Sequence, residues 1–174
     1  DPMGIDIEEL GNIGVDMFNL GNNYFTVQQT DLSTIVAHAP GVACYSELYF
    51  AVRPGYRVED KYGEAWNVRM TTAEQLETAA HVTYAQGGQG VSLFNFAYYR
   101  PFGHPNPEKG PFGEPPFEVI KYLRDSAALA MRPQHYFITD RWQGYMESLG
   151  VFDPGLKYTT TQDPIEVTTT TKLK

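Results

Sequence analysis

The sequence predicts an α/β fold assembled from parallel βα units, and two observations carry that prediction. Three hexapeptides share one pattern: Gly14-Val15-Asp16-Met17-Phe18-Asn19, Gly41-Val42-Ala43-Cys44-Tyr45-Ser46 and Gly90-Val91-Ser92-Leu93-Phe94-Asn95. Each opens on a glycine suited to a left-handed helix cap and continues as an apolar, β-prone run with almost no charge. Such runs are expected where both faces of a sheet are covered. Helical periodicity fills the intervals between them, and alternation of this kind implies parallel strands joined by crossovers.

The elements follow in order. Ile5 to Asn12 places Ile7 and Leu10 on one side of a short helix before the first strand. Thr30-Asp31 caps a helix through His38, with Leu32, Ile35, Val36 and Ala39 at helical spacing. Two overlapping capping boxes, Thr71 with Glu74 and Thr72 with Gln75, open a helix through Leu76, Ala79, Ala80 and Tyr84 that stops at Gly87-Gly88. Pro115-Pro116 opens a last helix with Phe117, Ile120, Leu123 and Leu129 on its buried side. After residue 132 the alternation stops. The expected organisation is a βα-repeat region over residues 1–131 and a C-terminal extension over 132–174. In that extension the threonine-rich stretch from Tyr158 reads either as the start of a β-sandwich or as a linker.

Composition bounds the function. The 174 residues carry 13 Lys+Arg against 21 Asp+Glu, a net charge of −8, which opposes a nucleic-acid partner because such binders neutralise phosphates with Lys and Arg. No apolar run approaches the roughly 20 residues that cross a bilayer as a helix. The single Cys44 permits no internal disulfide and no cysteine-built zinc site. His38, His81, His104 and His135 are scattered without metal-ligand spacing, so no metal is expected. Gly87-Gly88-Gln89-Gly90 precedes a strand, whereas phosphate-binding glycines follow one, so no nucleotide cofactor is expected. The start at Asp1 reads as that of a processed product or an excised piece.

The strand-to-helix connections are long and polar-aromatic, spanning residues 49–70 and 98–116, while the helix-to-strand connections are short. Function in parallel α/β proteins concentrates on the rim formed by the strands' carboxyl ends. Asn19, Ser46 and Asn95 are expected at equivalent strand exits there. Glu47 follows Ser46 inside the otherwise uncharged stretch from Val42 to Val52. A buried carboxylate needs a partner or a task, here either a salt bridge to Arg53 or Arg69 or a catalytic role. Asn22, in the Leu20-Gly21-Asn22-Asn23-Tyr24 stretch, adds an amide for a polyhydroxyl ligand. Tyr45, Tyr98 and Arg100 line the same rim, and Trp66 or Tyr62 offers a stacking face to a sugar.

The Gly-Val-Asp-Met-Phe-Asn motif, Tyr45-Ser46-Glu47-Leu48, the helix Thr72-Ala73-Glu74-Gln75-Leu76-Glu77 and the run Gly90 to Tyr99 together resemble the last three βα units of a TIM (β/α)8 barrel. They are similar to glycoside hydrolases with a family-10-like or related catalytic barrel, over about residues 1–131. The resemblance implies that Glu47 stands where the strand-seven nucleophile of retaining enzymes stands. It implies an oligosaccharide or polysaccharide partner and an extracytoplasmic location. The acid/base glutamate of that pattern usually sits at the end of barrel strand four, whereas the three hexapeptides are similar to strands six, seven and eight, so this sequence has no such strand. Glycoside hydrolysis usually needs two carboxyl groups. Asp16 comes too early in its strand to supply the second, and Glu59, Asp60 or Glu64 would do so only by folding back. The sequence therefore reads as half of a catalytic apparatus, completed by the missing N-terminal half of the barrel or by a second copy. The alternative is a non-catalytic carbohydrate-binding or interaction module on the same scaffold.

Overall fold

In a computed structural model of the protein, which describes residues 5–21, 25–28, 30–52, 58–59, 65–66, 68–102 and 107–137, the α-helices begin where a side chain caps them. Asp6 accepts from Glu9 N–H at 3.0 Å and starts α1, Ile7–Asn12. The first strand, β1, is Met17–Leu20. Asp31 accepts from Thr34 N–H and starts α2, Leu32–His38. Strand β2 is Ala43–Tyr49, followed by the short strands β3 (Ala51–Val52), β4 (Val58–Glu59), β5 (Ala65–Trp66) and β6 (Arg69–Met70). Of the two overlapping boxes, Thr72 with Gln75 closes reciprocally and opens α3, Ala73–Ala85. Strand β7 is Gly90–Phe94, and α4, capped by Asp125, is Ser126–Ala130.

Strands β1, β2 and β7 form one parallel sheet in that order, so the expected parallel βα arrangement is present. The register corrects one expectation. The ladder pairs Asn19 with Tyr45 and Leu20 with Ser46, so aligning Asn19 with Ser46 through their hexapeptides is one residue out. Side chains alternate along a strand, and a one-residue slip reverses the face. Asn19 and Ser46 therefore point to opposite sides of the sheet. Asn95 lies beyond β7 altogether, in a left-handed conformation (φ 52°, ψ 30°) at the start of a 3-10 turn over Phe96–Tyr99. The cap glycines also differ: Gly14, Gly41 and Gly87 adopt positive φ before their strands, while Gly90 is the first residue of β7 itself.

One face of the sheet carries the core. Leu48 packs with Leu76, Ala79 and Ala80 of α3 and with Val119, Leu123 and Leu129, and Val91 and Leu93 of β7 lie against the same cluster. Ser46 shares this side, facing a small cavity lined by Leu32, Ala79, Val82 and Thr83. Cys44, also on this side, is fully buried, and burial pushes its thiol up from the ordinary range.

The helix expected from Pro115 is divided. Phe117–Lys121 is a 3-10 turn, and α4 starts afresh at Ser126. Three residues per turn rotate the buried side relative to an α-helix. Val119, Leu123 and Leu129 are accordingly buried, whereas Phe117 and Ile120, expected inside, are 54% and 46% exposed. The excursion over 49–70 is also partly ordered as strand, with β3 against β6 and β4 against β5, both antiparallel.

Residues 132–137 run back against the body. The Arg132 guanidinium pairs with the buried carboxylate of Glu77 on α3 and lies 4.1 Å from the Tyr122 ring centroid. Gln28 donates to His135 O at 3.1 Å and accepts from Phe137 N–H at 2.9 Å. His135 N–H donates to Thr78 Oγ1 at 2.7 Å. Residues 138–174 lie outside the described residues.

Candidate functional site

Register and alternation place Asn19 of β1, Tyr45, Glu47 and Tyr49 of β2, and Ser92 and Phe94 of β7 on the sheet face opposite the core. Much of this face is open. Met17, which also projects to it, is 52% exposed, Phe94 is 36% exposed, and Asn19 is exposed. Glu47 thus projects away from α3.

A connected set of hydrogen bonds converges on that carboxylate. Asn19 Nδ2 donates to Glu47 Oε2 at 3.0 Å, and the Tyr49 phenol donates to Glu47 Oε1 at 2.5 Å. Ser92 Oγ donates to Asn19 Oδ1 at 2.8 Å. The directions are forced: a carboxylate accepts only, so the amide must turn its nitrogen toward Glu47, and its oxygen then takes the serine proton. Among the described residues the hydrogen-bond partners of Glu47 are therefore a neutral amide and a phenol rather than an arginine, the partner that the salt-bridge alternative required.

Close backbone approach shapes the floor. A Cβ on Gly21, just past β1, would sit 2.7 Å from Glu47 Oε1 and 3.2 Å from the Tyr49 hydroxyl, so only glycine leaves the carboxylate where it is. Likewise a Cβ on Gly90 would lie 2.7 Å from the Tyr45 ring, which is laid directly over that glycine. The Tyr49 and Phe94 rings, cross-strand partners, meet with centroids 5.1 Å apart.

Beneath the site lies a belt of buried hydroxyls. Thr26, fully buried, donates through Oγ1 to Tyr49 O at 2.6 Å and accepts from Tyr49 N–H at 2.9 Å. Thr71 Oγ1 also donates to Tyr49 O, at 3.0 Å, and Tyr99 OH donates to Thr71 O at 2.6 Å. Burial drives the Tyr99 phenol far above its ordinary range, the bond to Thr71 offsetting only part of this.

The other expected residues are dispersed. Tyr98 is 46% exposed, with its ring edge-on to Phe50 at 5.8 Å. Arg100 is bound to Glu114, its Nη2 2.5 Å from Glu114 Oε2, and it lies over the Phe117 ring. That hydrogen bond holds the Glu114 carboxyl below its usual range. Asn22 lies outside the described residues, and for Trp66 only the backbone is described, in β5. Asn19, Tyr45 and Glu47 are the expected residues that the sheet brings together; Tyr49, Ser92, Gly21 and Thr26 join them. Tyr49 was readable in principle, because a residue two positions along a strand shares its face. Ser92 becomes a neighbour only through the β2–β7 register.

Among the described residues no group of three or more His, Cys, Asp or Glu side chains could hold a metal ion, and no helix is long and apolar enough to cross a membrane. The sequence matches no protein-family model and no curated protein.

Proposed function

We propose that the protein is carbohydrate-active, a glycoside hydrolase or the C-terminal portion of one, with Glu47 as the attacking or water-activating carboxylate. On this reading β1, β2 and β7 are the last three strands of a TIM-type barrel, and the open face of the sheet is the barrel interior. The observation that carries the proposal is the placement of Glu47 on the face of the central parallel strand turned away from α3, accepting from Asn19 and Tyr49. A carboxyl used purely as an acceptor suits a nucleophile or base, whereas the acid partner must present a proton. On this reading the second carboxyl is supplied by another part of the chain, the missing half of the barrel or a second copy. Tyr45 and Phe94 offer apolar surface to the C–H faces of a sugar, and Asn95, Tyr98, Arg100, Asn22 and Trp66 belong to the surrounding rim. The same reading places the protein outside the cytoplasm.

One observation favours the second reading, a binding module without chemistry: both carboxylate oxygens of Glu47 already accept a hydrogen bond from the protein. A glycan panel presented to the full-length protein, in which the second carboxyl is supplied, separates the two. The enzyme reading expects reducing-sugar release from at least one glycan. Binding without release supports the module. Neither binding nor release contradicts both.

A further inference from the structure

The hydroxyl of Thr26 grips both backbone polar groups of one residue, accepting from Tyr49 N–H and donating to Tyr49 O. Parallel-strand ladders satisfy such groups with backbone, so a buried side chain doing both is a substitution of one kind of support for another. The residue so gripped carries the phenol that donates to Glu47 Oε1 at 2.5 Å. Its ring is pinned against Phe94, and its carbonyl takes a second bond from Thr71, whose own carbonyl is held by Tyr99. Thr26 also donates its N–H to Ala51 O at 2.9 Å, which ties the segment after β1 to the chain beyond β2. Gly21, on the same segment, approaches the same carboxylate so closely that a Cβ there would lie 2.7 Å from Oε1 and 3.2 Å from the Tyr49 hydroxyl.

We infer that Thr26 is a positioning residue for Glu47, acting through Tyr49: it fixes the strand backbone so that the phenol stays aimed at Oε1, and it couples the β1 exit segment to the carboxylate. The functional weight of this coupling rests on the role proposed for Glu47, but the coupling itself is independent of any substrate.

The test is a proton NMR measurement of the Tyr49 hydroxyl in the whole protein. A phenol proton held on a carboxylate gives a protected low-field signal, identified by its loss in Tyr49→Phe. Thr26→Ser keeps the hydroxyl and is expected to keep the signal and its exchange rate. Thr26→Val, equal in shape but without the hydroxyl, is expected to speed exchange about tenfold or more, the equivalent of one charge-assisted bond. Because the valine leaves a buried N–H unpaired and can prevent folding, Thr26→Cys serves as the graded case, since a thiol is a weak donor and acceptor. Its exchange is expected between those of serine and valine, or simply faster than serine if the valine variant does not fold. A signal equally protected in every folded variant overturns the inference and leaves the glycan reading intact. Absence of glycan binding and hydrolysis overturns that reading, while the ranking of exchange rates still decides the coupling. If a glycan is hydrolysed, Thr26→Cys is expected to lower kcat more than it changes KM.

Discussion

Asn19 and Glu47 meet diagonally across the β1–β2 ladder, the amide nitrogen 3.0 Å from Oε2, with Asn19 registered against Tyr45 rather than against Glu47 itself. The contact depends on both strands running parallel and on this register. Replacing the amide with a carboxylate in Asn19→Asp puts two acceptors against each other. The pair then shares a proton, and one of its two titrations is raised. A raised titration stabilises at low pH and is lost as pH climbs through it. The variant is expected to be about 1–2 kcal/mol less stable than the parent at pH 7, a deficit that shrinks as pH falls through the raised titration and is largely gone below about pH 4. Urea unfolding at the two pH values measures it.

Gly21→Ala tests the floor of the site. The added methyl would overlap Glu47 Oε1, the far end of a flexible side chain, at 2.7 Å. The side chain can swing away, so stability is expected to change by less than about 1 kcal/mol. Glycan binding or hydrolysis is expected to fall at least tenfold, because the Glu47–Tyr49 pair no longer fits. Thermal unfolding and a binding titration on the same preparation separate the two effects.

Much of the local structure was legible because it rests on short-range chemistry. The caps at Asp31 and Thr72 follow from side-chain oxygens placed to accept N–H groups two or three residues on, information contained within five residues of sequence. The strands' identity and parallel order were legible from apolar runs alternating with helices. Register was not. Matching hexapeptides by their glycines put Ser46 beside Asn19 and Asn95, whereas the ladders pair it with Leu20 and Val91; before β7 the glycine that turns the chain is Gly87, and the motif's Gly90 already lies under the Tyr45 ring. Glu47 stood out as a lone charge and Tyr49 shares its strand face, whereas its bond to Asn19 depended on long-range pairing that no local pattern encodes. Thr26 gave no signal at all, being one polar residue in a polar connection until the fold buried it.

Asp31 gives a direct pH prediction. Hydrogen bonds from the Ser33 hydroxyl, the Thr34 hydroxyl and the Thr34 N–H hold its carboxyl below the ordinary value. A depressed folded-state titration contributes stability above the unfolded value, lost as pH falls through the folded one. Asp31→Ala is therefore expected to lower Tm at pH 7 and to converge with the parent as pH falls from about 4 to 2. Tm recorded over that range for both proteins checks the sign.

The buried Glu77 carboxylate and Arg132 give an ordering. Removing the arginine strands a charge that is 1% exposed, whereas Glu77→Gln removes the charge and keeps a hydrogen-bonding group. Glu77→Gln is expected to cost about 1–2 kcal/mol, and Arg132→Ala is expected to lower Tm further. Thermal unfolding of the two single variants decides the order.

Hydrolysis of the best-bound glycan by the full-length protein and by its Glu47→Gln variant, with binding measured in parallel, tests the role of Glu47 most directly. The glutamine keeps the size and an acceptor oxygen but can neither attack nor take a proton. The expected result is a fall in rate of about a thousandfold or more with binding held within a few-fold. Equal rates in the two proteins would contradict the role given to Glu47.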